Sequence, residues 1–419
     1  MRLVNSRQVI VAGGLFVKKL FGFLVGAVLL ATVGCTRSTE SEKATGDIKV
    51  QIPVRENDQP TLKIVTLRKM EDLRRVSGGI ATFYYAPKID GSLVIGEVPH
   101  ARFIKTFDEV FIPVDSQSAD MAAVYYHLQN LTDLDASLGL ARFNEGPRKV
   151  ALSTRILKSD DWVRNNSFYD QNSDAIIFVD FQSQALPLTL NSGVVAHEHF
   201  HSLFSKLVNL PLIKAGKVAD SLKVSSANDE LRRDFEDFVL FKSLNEGLAD
   251  YWGWVYSRDE KFVSASIPTE QSRSLEKPSQ ESVEASFRSP EDRQAELDSF
   301  FEPYLQSENK EKALETIQDI GGRYAYAMGN VYARFFRALN KTADGKDLDA
   351  NAQMALTQQI IGLLEDLRES FLKNKNHSAI QPENVLELFR VKNPELIRVH
   401  CKEFERLINH KSTCTGRPK

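Results

Sequence analysis

The chain has 419 residues, 42% of them hydrophobic and 26% charged, and a formal net charge of −3. This is the composition of a globular protein with a sizeable core, long enough for one large domain or two modest ones. The near-neutral balance, with no stripe of Lys and Arg, argues against a nucleic-acid partner. The three cysteines lie far from any histidine cluster, so neither a thiolate metal site nor a cysteine nucleophile is expected.

In chain order, Lys18 and Lys19 precede an apolar run from Leu20 to Val33, and Gly34-Cys35 opens a polar stretch. A basic flank, a short apolar core and a small residue describe a secretory signal over residues 1–35. The Cys after that small residue resembles a bacterial lipobox, although Thr32 stands where such boxes usually carry Leu. The resemblance implies lipidation at Cys35 and an exported protein held by its lipid on the periplasmic or cell-surface side of a bacterial membrane. Counted from Val9, the run is also long enough for a plain membrane anchor. Residues 36–47 read as a flexible tether. In an exported protein the remaining Cys401 and Cys414 are expected to pair and close a small loop.

From residue 48 the pattern is short apolar alternations, at Ile80 to Tyr85, Ser92 to Gly96 and Glu109 to Pro113, with Asp90-Gly91 placed to turn a hairpin. A helix follows, with Ser118 as its expected N-cap and Met121, Val124, Tyr125, Leu128 and Leu131 along one face. Strands return at Lys149 to Leu157 and Ala175 to Phe181. An apolar helix then spans about 192–208, residues 209–232 read as a loop or short helix, and a second strong helix spans about 233–257. Residues 258–294, rich in Ser, Glu and Arg, read as a surface insertion, and helices dominate from 295 onward. The expected class is α+β: a β-rich subdomain over 48–208 that ends in the first of the two central helices, then a helical subdomain over 209–419.

The first central helix carries His197-Glu198-His199-Phe200-His201. Residues four apart share a helix face, so the imidazoles of His197 and His201 can point at one ion. Glu198 can lean over the same ion without ligating it and act as general base toward a metal-activated water, as His-Glu-x-x-His peptidases require. His199 points to the opposite face and is read as packing. A catalytic zinc usually takes three protein ligands. Glu246, in Leu244-Asn245-Glu246-Gly247-Leu248-Ala249-Asp250 on the second helix, is the candidate third ligand. Asp250 shares its face and can accept the outer N–H of a ligand histidine. Among Leu244, Leu248, Trp252 and Trp254, unpaired carboxylates would be costly.

His-Glu-x-x-His on one helix and Asn-Glu-x-x-x-Asp on the next resembles the gluzincins, the thermolysin-like zinc metallopeptidases. The likeness extends upstream through Asn166-Ser167-Phe168-Tyr169, Ala175 to Phe178 and Gly193-Val194-Val195-Ala196. It implies a thermolysin-like zincin holding one Zn2+, with Asn166 and the Ser167 backbone pairing with an extended peptide; Asn165 competes for the first role. It also implies a donor to the oxyanion. Tyr326, in Tyr326-x-x-Gly329, is similar to a tyrosine that stands at a helix start in gluzincin aminopeptidases, with Tyr324 and Arg323 as alternatives. The family's histidine donor has no counterpart, its calcium-binding acidic segments are not recognisable, and the Gly-x-Met-Glu-Asn motif of the aminopeptidases is absent, which favours an endopeptidase. The expected function is hydrolysis of peptide or protein substrates. The alternative is a surface lipoprotein that keeps the scaffold for binding or assembly.

Overall fold

A computed structural model describes residues 44–373, apart from 57–58, 91, 159–160, 220–221, 223–227, 271–272, 277–289 and 343, together with a few isolated positions beyond 373. Cys35, Cys401, Cys414 and the helical stretch expected beyond residue 373 lie outside the residues described as continuous structure. The architecture is mixed α+β. Strands β1 (Gly46–Glu56), β2 (Gln59–Asp72), β3 (Ser77–Gly78), β6 (Phe103–Lys105) and β7 (Phe111–Pro113) form one sheet in the order β3-β2-β1-β7-β6. Strands β4 (Ala81–Asp90), β5 (Leu93–Glu97), β8 (Arg148–Thr154), β11 (Ser167–Asp170) and β12 (Ala175–Val179) form a second, in the order β11-β12-β8-β4-β5. The short pair β9 (Leu157–Lys158) and β10 (Asp161–Trp162) stands apart. β1 begins inside the stretch read as tether, because Ile48, Val50 and Ile52 alternate into the core.

In the second sheet β12 runs parallel to β8, and β8 parallel to β4. All five residues of β12 are buried, the continuous apolar run expected of a strand covered on both faces. β11 pairs antiparallel with β12, with Ser167 opposite Phe178, and has no neighbour on its other side among the described residues. Val179 N–H donates to the Asn166 carbonyl, so Asn166 faces β12. By antiparallel alternation the N–H and C=O of Ser167 then face the unpaired edge.

Helix α1 (Ser116–Ser137) lies against both sheets, with Met121, Val124, Tyr125, Leu128 and Leu131 buried. Its cap differs from expectation. Asp115 accepts from Ser118 N–H at 2.8 Å, and the Ser118 hydroxyl accepts from Arg102 N–H at 2.8 Å. A carboxylate serves better than a hydroxyl at the positive end of a helix.

Helix α2 (Ser192–Phe204) passes through a π turn (Ser205–Asn209) into α3 (Leu210–Lys214). The sequence explains the widening. Pro211 has no N–H for the carbonyl of Leu207 and clashes with it, and Arg368 donates to that carbonyl instead, at 3.2 Å. Helix α4 (Asn228–Ser257) is central, packed against α2 on one side and α7 (Lys310–Leu339) on the other. The α2 contact is aromatic: Phe200 and Trp252 rings lie 5.3 Å apart, both almost fully buried. Burying Phe200 stabilises by about 3 kcal/mol. The α7 contact is close because Gly247 meets Gly329; a Cβ on Gly247 would lie 2.4 Å from the Gly329 carbonyl oxygen. Glu246 is therefore held against the backbone of α7.

Helices α5 (Phe262–Ser266), α6 (Pro290–Gln306) and α8 (Ala350–Lys373) complete the described helical part. Residues 258–294 are not simply a surface insertion. Phe262 is buried, and its ring seats against Gly193 at the start of α2. Among the described residues no helix is long and apolar enough to cross a membrane.

Candidate metal centre

Asn191 starts the site. Its side-chain oxygen caps α2, accepting from Gly193 and Val194 N–H at 3.1 and 3.3 Å. Its side-chain nitrogen donates to the Phe262 carbonyl and the Ser266 hydroxyl at 2.7 and 2.8 Å. All of the capping group's polar capacity is used, which fixes the first turn of α2 and so the direction of the side chains one turn later.

His197, Glu198 and His201 are buried together, with one potential ligand atom from each within 4.8 Å of the others. His197 Nδ1 lies 2.9 Å from Asp250 Oδ1, and His201 Nδ1 lies 2.9 Å from the Asn245 side-chain oxygen. Both partners only accept at those atoms, so both Nδ1 atoms carry hydrogens and both Nε2 atoms turn inward. The two Nε2 atoms stand 2.9 Å apart. Glu246 Oε2 lies 3.6 Å from His197 Nε2 and 3.8 Å from His201 Nε2, and it is buried with no hydrogen-bond partner among the described residues.

These three atoms fit a metal. The circle through a triangle with those edges has a radius of about 2.0 Å, against the ~2.0–2.2 Å of zinc bonds to imidazole nitrogen and carboxylate oxygen. The donor set, two imidazoles and a carboxylate, suits a borderline cation such as zinc. A buried carboxylate oxygen without a hydrogen-bond donor is costly, and a cation at that point satisfies it.

The electrostatics of the metal-free protein point the same way. Burial alone would push the Glu246 carboxyl up; His201, His197 and Arg273 outweigh it and hold it well below the usual carboxylate range. Burial would lower His197, but its hydrogen bond to Asp250 and the nearby Glu246 carboxylate push it up to about 9. His201 is lowered, by burial and then by the charge on His197. With its Nδ1 hydrogen on Asp250, a protonated His197 donates from Nε2 to His201 Nε2.

Glu198 lies beside this group. Ser167 Oγ donates to Glu198 Oε1 at 2.7 Å, and among the described residues Glu198 Oε2 has no hydrogen-bond partner. Asn166, Ser167, Glu198, both histidines, Glu246 and Tyr326 all line one cleft of about 530 Å3. Ser167 was expected to act through its backbone; its side chain also reaches Glu198.

Tyr326 stands in the middle of α7, not at a helix start, because the apolar periodicity of that helix begins at Ala313 and Leu314. It faces the cleft with 40% of its surface exposed. The charge on Glu246, then burial, holds its hydroxyl far above the usual phenol range, so it stays a proton donor. Of the alternatives, Tyr324 packs against Phe300 of α6, with ring centroids 5.9 Å apart. Arg323 is exposed and does not line the cleft. Asn165 turns away from the cleft and accepts from Gln182 and Ser183 N–H at 2.6 and 3.0 Å.

His199, on the far face of α2, pairs with Asp135 of α1 at 2.7 Å, and both are buried. Asn144 donates to the same Asp135 oxygen at 2.6 Å. This pair anchors α2 to α1 and stays out of the cluster.

Sequence reasoning assigned no role to Asn245, Arg273 or Lys242. Asn245 immediately precedes Glu246 in the motif, so adjacency was its signal. Arg273 had none, since it lies in the polar stretch after α5. Its guanidinium donates to both Asp250 oxygens, at 2.6 and 3.2 Å, lies 3.7 Å from Glu246 Oε2, and packs on the Tyr326 ring with its centre 5.2 Å from the centroid. It offsets the two buried carboxylates that the centre requires. Comparison of the sequence with family models and with curated proteins finds no match.

Proposed function

We propose that the protein is a zinc-dependent peptidase of gluzincin type, exported and held on the periplasmic or cell-surface side of a bacterial membrane by a lipid on Cys35. One observation carries the reading: a ligand triangle of His197, His201 and Glu246 opens into the same cleft as Glu198 and the unpaired edge of β11. His197, His201 and Glu246 would hold the metal, with Asp250 and Asn245 fixing the two rings. Zinc bound there supplies Lewis acidity toward a carbonyl and toward water. Glu198 Oε2, with no hydrogen bond of its own, accepts the proton of the attacking water and returns it to the leaving amine. Ser167 holds the other carboxylate oxygen still. The Ser167 backbone pairs with an extended peptide as an added strand, and Asn166 beside it contacts the same peptide. Tyr326, and Arg273 beside it, donate toward the developing oxyanion.

The reading is tested by zinc analysis and by hydrolysis of casein and a mixed peptide library. Wild-type protein should bind one zinc ion and cut. Glu198→Gln should keep the zinc and lose about 10²–10⁴-fold in rate, the contribution of a positioned general base. Zinc-loaded wild-type protein that cuts no member of the library would exclude a peptidase.

A further inference from the structure

We infer that Lys242 captures a carboxylate of the substrate and so directs this site toward acidic peptides or toward peptides with a free C-terminus. The inference rests on the peptidase reading. Lys242 stands on α4, four residues before Glu246, and lines the same cleft. Its ammonium lies 5.6 Å from the ring centroid of Phe238 and 5.3 Å from that of Tyr326. It rests against Gly322 of α7, where an added Cβ would come within 3.3 Å of Nζ. Two rings and a helix backbone thus hold the cation in one place, at the mouth between α4 and α7.

Its neighbour Arg273 touches the same Tyr326 ring but is neutralised by Asp250 and Glu246. Among the described residues Lys242 forms no ion pair with a carboxylate. Aromatic faces attract a cation without satisfying its three N–H donors, so the ammonium keeps its capacity for an anionic partner. Four residues of helix amount to about 6 Å, and an extended peptide advances about 3.3 Å per residue. The carboxylate it meets therefore lies about two residues from the scissile bond. A free C-terminus and an Asp or Glu side chain offer the same chemistry there.

The test uses fluorescein-labelled octapeptides of Gly, Ala and Leu in three forms: a neutral C-terminal amide, the same amide with one Glu walked along the chain, and the free acid. Binding is measured by anisotropy on zinc-loaded Glu198→Gln protein, which holds peptide without cutting it, and kcat/KM is measured on protein with Glu198 intact. At least one carboxylate form should bind about tenfold tighter than the neutral amide, the scale of a charge-assisted hydrogen bond. That ratio should fall to near one in Lys242→Met, invert in Lys242→Glu and persist in Lys242→Arg. A preference for the free acid assigns C-terminal trimming, and a preference for a Glu position assigns internal cleavage near acidic residues. A ratio of one with Lys242 intact, or one that Lys242→Met leaves unchanged, overturns the inference; the peptidase reading survives if the neutral amide is cut. Protein that neither binds nor cuts any of the three forms, nor any library peptide, sinks both.

Discussion

His197 and His199 sit two residues apart on α2, each paired with a buried aspartate: Asp250 at 2.9 Å and Asp135 at 2.7 Å. Only the first pair orients a ring toward the cluster. Asp250→Asn and Asp135→Asn are therefore matched perturbations with different expected readouts. In Asp250→Asn the carboxamide keeps the shape but not the charge, and the two Arg273 donors at 2.6 and 3.2 Å lose their anionic acceptor. The His197 ring is less basic and less firmly held. Loss of such an outer partner lowers metal affinity by about ten- to a hundredfold. Asp135→Asn weakens a hydrogen bond between two helices and should cost about 1–3 kcal/mol of stability. It should leave zinc affinity within about twofold, since His199 contributes nothing to the cluster. The assay is competition for zinc against a chromophoric chelator, with thermal denaturation in excess EDTA recorded alongside. Wild-type zinc affinity in Asp250→Asn would refute the role of Asp250. An equal loss of affinity in both variants would mean that the effect is general loosening of α2.

Zinc binding should release about one proton near pH 7.5, because His197 is held protonated in the metal-free protein and a ligand imidazole must be neutral. Calorimetry in two buffers of different ionisation enthalpy measures this, and buffer-independent heats would contradict it. The sign for stability follows from the same shift. His197 is raised from 6.5 to about 9, so its contribution to the metal-free fold is complete below pH 6.5 and lost as pH rises through 9. Denaturation midpoints in EDTA should fall across that window, and the zinc-loaded protein should lack this component. Ser167→Ala should lower kcat by about tenfold, the low end for a hydrogen bond to a carboxylate, with zinc content unchanged and Ser167→Thr restoring much of the rate. Full activity in Ser167→Ala would leave Glu198 without need of that hydroxyl.

Several features were legible because they are local. The four-residue spacing of His197 and His201 and the paired Glu246 and Asp250 are helix-face statements, and 3.6 residues per turn decides them wherever the helix goes. The burial of α1 followed from the spacing of Met121, Val124, Tyr125 and Leu128 for the same reason. Cap choice was less legible: Ser118 and Asp115 both suit an N-cap, and only the chain path entering from Arg102 decides between them.

The sequence by itself determined which side chains share a face and which chemistry they carry. Tertiary structure decided what meets across elements. It set Glu246 Oε2 opposite two imidazoles, because α4 packs closely on α2, where a Cβ on Gly253 would lie 2.8 Å from the Gly193 carbonyl oxygen. It brought Ser167 from a sheet edge onto Glu198, although they are 31 residues apart in the chain. It folded Arg273 from a polar stretch onto Asp250 and Tyr326, because two buried carboxylates beside a binding centre need a countercharge that no periodicity encodes. The candidate metal centre is thus a helix-face pattern completed by charge balance, and that balance is a property of the packed protein.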